Sequence, residues 1–210
     1  MELDDFIKRM EKELSNIDSY SWHNIKQNDE LDRKTNFIYK VYSYKELLSN
    51  IKQNNIFSIE EIDYAKTRWY NFHTAKIAEL IFETFFNVEK NKNEKDRKVD
   101  FSINGLNFDH KNSVFPKKYP NTISFAKKNK KDLILWLYNN QSQHQRYHLG
   151  NRLFIIFYNS DGVNHWKVKS NFQLMKKAIN NYMKNYSEQN LIKIELNNRI
   201  IYSDIIFIEK

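Results

Sequence analysis

Apolar residues recur along this chain with two periods, and the period changes from segment to segment. Leu3, Phe6, Ile7, Met10 and Leu14 stand three or four residues apart, the spacing of one helix face. Tyr44 to Ile51 and Ser58 to Tyr64 continue in that style, with Ser58 as the expected N-cap and Glu61 completing a capping box. Thr67 to Asn87 reads as a long amphipathic helix. Ala75, Ala78, Phe82 and Phe86 form its stripe, and Ile77, Ile81 and Phe85 lie beside it.

After a charged loop from Asn91 to Lys98, the period shortens to two. Strands are predicted over Lys98 to Ile103 and Leu106 to Val114, joined by Asn104-Gly105, a strong hairpin signal. Asp132 to about His148 reads as helix, and Leu153 to Tyr158 is a continuous apolar run of the buried-strand type. Asn171 to Tyr186 is a further amphipathic helix, and strands are expected over Leu191 to Leu196 and Ile200 to Ile208. From residue 67 the order is helix, strand, strand, helix, strand, helix, strand, strand. That order predicts an α/β or α+β domain over 67–210, with a mixed central sheet flanked by helices. Residues 1–66 form a helical N-terminal region, read as a recognition or dimerisation element.

Composition narrows the partners. The 210 residues hold 34 Lys and Arg against 26 Asp and Glu, a net charge of +8 that favours polyanions. Cysteine is absent, which removes disulfides, thiolate zinc sites and cysteine nucleophiles. The acidic start Glu2-Leu3-Asp4-Asp5 has no apolar signal core, and no apolar run reaches membrane-spanning length. The expectation is a cytoplasmic protein with no membrane partner.

The chemistry-bearing pattern is in the hairpin. Val99, Phe101 and Ile103 alternate with Asp100 and Ser102. Leu106, Phe108 and His110 alternate with Asn107, Asp109 and Lys111. A two-residue turn would pair Ile103 with Leu106, Phe101 with Phe108 and Asp100 with Asp109. The two aspartates would then stand about 4.5–5.5 Å apart at Cβ, with Lys111 diagonal to Asp100. Like charges so placed repel, and a divalent cation would offset that repulsion far better than solvent. Glu79, on the preceding helix, is a third carboxylate on a largely apolar stripe and is preferred to Glu83. A lysine-rich stretch follows, including Lys117, Lys118, Lys127 and Lys128. His144 and His148 have helical metal-ligand spacing, but no zinc-protease glutamate accompanies them. No Gly-rich phosphate loop or G-x-S-x-G elbow is present.

Glu79 on a helix, Asp100 on a strand and Asp109-His110-Lys111 on the next strand resemble the PD-(D/E)XK nuclease superfamily, of restriction-endonuclease-like fold. The likeness covers roughly residues 67 to 196, and Val99 stands where the motif's name has Pro. Gln143 to Tyr147 also fits the Q-x-x-x-Y pattern of RecB-type nucleases. The resemblance implies that Asp100 and Asp109 bind Mg²⁺, for which Mn²⁺ substitutes, together with the carbonyl of residue 110. It implies that Glu79 holds a second ion or its water, and that Lys111 positions or deprotonates the attacking water. Lys117, Lys118, Lys127, Lys128, Gln143 and Arg146 would contact nucleic acid. The expected protein is a Mg²⁺-dependent DNA endonuclease, of the type II restriction or another defence kind. RNA as substrate and a homodimeric state stay open. The alternative is a non-catalytic nucleic-acid-binding protein or an inactive nuclease relative. A protein-interaction module, with the helical N-terminus as its contact surface, is a third class.

Overall fold

The computed structural model describes residues 2–18, 29–93, 96, 98–140 and 150–210. These fall into two compact units. One takes in the described residues up to Ile77 together with Ser170–Phe172. The other comprises the described residues of Ala78–Lys169 and of Gln173–Lys210.

The first unit is helical. It contains α1 (Leu3–Leu14), α2 (Asp29–Lys34), α3 (Tyr44–Gln53) and the greater part of α4 (Ile59–Phe82). Ile7, Met10 and Leu14 of α1 are buried, as the spacing predicts, and so are Leu47 and Ile51 of α3. The Ser58 hydroxyl accepts from the Glu61 N–H at 3.2 Å, so the capping signal does start a helix. That helix runs on through residues 65–67 because neither Gly nor Pro interrupts it up to Phe82. It stops short of the expected Asn87. Thr84 and Phe85 turn back onto the Ile81 and Phe82 carbonyls instead. Phe86 therefore leaves the predicted stripe and is fully exposed.

The second unit is built on a mixed sheet, an α+β arrangement. Its elements are β1 (Val88–Lys90), β2 (Phe101–Ile103), β3 (Leu106–Val114), α5 (Ile123–Lys128), α6 (Lys130–Asn140), β4 (Arg152–Tyr158), α7 (Phe172–Lys184), β5 (Ile192–Leu196) and β6 (Arg199–Glu209). The strand order is β1-β2-β3-β4-β6-β5. β1, β2 and β3 form an antiparallel meander, β4 lies parallel between β3 and β6, and β5 closes the sheet antiparallel to β6. β1 carries one buried apolar residue in three, too little pattern for the sequence to announce it. The β2–β3 turn has Asn104 at φ 50° and Gly105 at φ 81°. Both are left-handed, which the Asn-Gly pair tolerates and which matches strand twist.

β4 is buried along both faces except at Tyr158, as its unbroken apolar run demands. Phe154 and Ile156 join Ile201, Ile205, Leu133 and Leu137 in one core cluster. No helix among the described residues is long and apolar enough to cross a membrane.

Candidate functional site

The hairpin keeps its predicted register for Ile103–Leu106 and Phe101–Phe108, with Ser102 opposite Asn107. It departs at Asp100. The β2–β3 ladder ends at Phe101, and the Asp100 N–H bonds the Phe108 carbonyl at 2.8 Å. Asp109 pairs with Arg152 on β4. The expected side-by-side placement of Asp100 and Asp109 is therefore not formed. The physical reason is that facing carboxylates repel, whereas here each aspartate has cationic or N–H partners of its own.

Asp100 turns its carboxylate to His110. Oδ2 accepts from the His110 backbone N–H at 2.7 Å and lies 3.1 Å from the ring Nδ1. His110 shares the face of Phe108, as alternation requires, and its ring stacks on Phe101 at 6.0 Å. Phe101 stacks in turn on Phe82 of α4 at 4.8 Å. Glu79, one turn before Phe82, is carried to the same place, with Oε1 3.9 Å from His110 Nδ1. The ligating atoms of Glu79, Asp100 and His110 all lie within 4.8 Å of one another. This cluster includes Glu79 rather than Glu83.

Burial works against a charge on His110. The hydrogen bond and charge of Asp100, with the charge of Glu79, outweigh it and raise the imidazole above its usual range. Burial likewise pushes the Asp100 carboxyl up. The His110 hydrogen bond and charge, the backbone N–H and the charge of Lys111 bring it below the usual range. Lys111 thus acts on Asp100 although its bond is to Asp109.

Asp109 occupies the opposite face of β3. It is 2% exposed, takes the Lys111 ammonium on Oδ1 at 2.5 Å and accepts from Arg152 Nε on Oδ2 at 3.2 Å. The Arg152 guanidinium lies 4.9 Å over the Tyr138 ring. Sequence reading missed Arg152. Its signal is a charged residue placed immediately before a fully apolar run, which puts a cation at the buried start of a strand. The family resemblance gives a role to the backbone carbonyl of His110 and none to its side chain. A histidine on the same face as Phe108 needs a partner, and that requirement was legible.

The lysines are not gathered at these acids. Lys117 and Lys118 are exposed and follow the end of β3 at Val114, which itself stands five residues, about 17 Å at strand rise, from Asp109. Lys127 pairs with Glu209 at the last residue of β6, where Tyr158 of β4 is its strand partner. Lys128 lines an open groove of about 670 Å³ with Lys130, Lys131 and Ile192. Gln143 and Arg146, with His144, His148 and the Q-x-x-x-Y segment, lie outside the described residues.

Two carboxylates and an imidazole within 4.8 Å form a donor set suited to a divalent cation. Lys111 sets an ammonium on Asp109, and its charge also bears on Asp100. Compared with protein-family models, with curated proteins and with solved structures, the chain matches none of them.

Proposed function

We propose that this protein is a metal-dependent nuclease that hydrolyses DNA phosphodiester bonds. The observation that carries the proposal is the meeting of Glu79, Asp100 and His110 within 4.8 Å, with the charge of Lys111 bearing on Asp100. The order of elements supports it. A helix bears Glu79, Asp100 immediately precedes one strand, and the next strand bears Asp109 and Lys111, as the PD-(D/E)XK resemblance implies.

Glu79 and Asp100 would hold the divalent cation, Mg²⁺ or Mn²⁺. Such an ion, when bound, acidifies water and neutralises charge developing on a phosphoryl group. Lys111 supplies a second positive charge for that group and a donor to orient the attacking water. In this proposal Asp109 differs from its expected role as a metal ligand. Held by Arg152, it fixes the Lys111 ammonium. The net charge of +8 favours approach of a polyanion.

Plasmid DNA incubated with Mg²⁺ or Mn²⁺ tests the proposal, with a structured RNA in parallel to decide between nucleic acids. The intact protein is expected to nick or linearise the plasmid. Asp100→Ala and Lys111→Ala are each expected to slow cleavage by about a hundredfold or more. Full activity in Asp100→Ala would overturn the assignment. Binding without cleavage in both metals would favour a non-catalytic nucleic-acid-binding protein. That second reading draws on Asp109, whose charge is already balanced by Lys111 and Arg152.

A further inference from the structure

We propose that the His110 side chain is itself a ligand of the cation held by Glu79 and Asp100, and that its nitrogen makes the site select manganese(II) over magnesium. The inference rests on the metal site proposed above and deepens it. An all-oxygen site built from Glu79, Asp100 and Asp109 would suit Mg²⁺, which prefers carboxylates and retained waters. The fold does not assemble that set. Asp109 is taken up by Lys111 and Arg152, and the third donor within reach of the other two acids is an imidazole nitrogen.

Three features hold that nitrogen in place. The His110 ring is buried, it is stacked on Phe101, and its Nδ1 faces Asp100 Oδ2 at 3.1 Å and Glu79 Oε1 at 3.9 Å. The backbone N–H of the same residue is bonded to Asp100, which fixes the strand against the acid. A ring so constrained loses little freedom on coordination. Coordination requires Nδ1 to offer its lone pair, so the proton shared with Asp100 passes to solvent as the ion enters. Mg²⁺ demands oxygen ligands and retained waters, whereas Mn²⁺ suits carboxylates and, as a first-row transition ion, gains more than Mg²⁺ from a nitrogen donor.

The test uses the intact full-length protein and needs no nucleic acid. Mn²⁺ binding is read from the loss of its free paramagnetic signal, and Mg²⁺ binding by competition. The wild type is expected to bind Mn²⁺ about tenfold or more tightly than Mg²⁺, and His110→Asn to lose about tenfold in Mn²⁺ affinity while Mg²⁺ affinity changes less than about twofold. Pulsed paramagnetic resonance of the bound Mn²⁺ should show a nitrogen coupling that changes when histidine is labelled with ¹⁵N. This readout uses the wild type and is repeated in a His144→Asn/His148→Asn double variant, because those two histidines also have metal-ligand spacing. A coupling that persists there supports His110 even if His110→Asn fails to fold, and one that disappears there would overturn the inference.

Bound Mn²⁺ without a histidine coupling, or a coupling that persists in folded His110→Asn, would overturn the inference and leave a metal site of oxygen ligands standing. Equal affinity for the two ions would do the same. A wild type that binds neither ion would remove the metal site and, with it, the nuclease proposal.

Discussion

His73 and His110 are both buried, one in the helical unit and one in the sheet unit, yet their imidazoles are shifted in opposite directions. His73 sits among the rings of Tyr42, Trp69 and Phe72, with Nε2 2.8 Å from the Val41 carbonyl. Burial pushes its imidazole down to about 4, against the weaker pull of that carbonyl. His110 pays the same penalty but faces Asp100 and Glu79, and its imidazole is raised. The difference shows that burial alone does not set the charge of a group here. A carboxylate in hydrogen-bond range reverses the sign. It also separates two kinds of interior. Around His73 the core keeps a polar group neutral. Around β3 the fold keeps opposite charges together.

If buried counter-charges distinguish the sheet unit, removing one should have the largest effect. Arg152→Ala leaves Asp109 buried with Lys111 as its remaining cation in the described ion pairs. It is expected to cost about 3–5 kcal/mol, read by urea denaturation followed in the sheet unit. A loss below about 1 kcal/mol would mean that this ion pair contributes little and would break the comparison.

The pH response sharpens it next. For His73 the folded pKa is depressed, so between pH 6.5 and about 4 the unfolded chain binds more protons than the folded one. Stability should therefore fall as pH drops through that window, by about 3 kcal/mol from this group in total. For His110 the folded pKa is raised, so its contribution is complete below the unfolded value and fades as pH rises through the folded one. Imidazole resonances titrated in metal-free buffer, with hydrogen exchange reporting each unit, would check both signs. His110 titrating below His73 would refute the contrast.

The smallest effect should come from an exposed pair. Lys127→Ala removes the partner of Glu209, and both side chains are over a third exposed. The expected change is under about 1 kcal/mol and shrinks with added salt, measured by thermal melts at two ionic strengths. A loss comparable to that of Arg152→Ala would remove the distinction between buried and exposed ion pairs.

The hairpin was the most legible part of the site. Asn104-Gly105 dictates the turn, the turn sets the register, and alternation assigns Phe101, Phe108 and His110 to one face and Asp109 and Lys111 to the other. The α4 cap at Ser58 was legible for the same reason, since each of these signals acts over a few residues. β1 was not, because three residues with one buried side chain carry no period. The merging of two expected helices into α4 was likewise hidden, as a helix continues wherever nothing stops it.

By itself, then, the sequence determined the class of fold, the turn and the presence of acids and a lysine on one hairpin. Tertiary structure decided which acid meets which cation. Asp109 and Arg152 are 43 residues apart and meet only because β3 and β4 run parallel in register. Glu79 reaches His110 only because Phe82, one turn further along α4, stacks on Phe101. Local patterns specify direction and face, while partners across a sheet depend on how strands are ordered, and strand order is settled by packing over the whole unit.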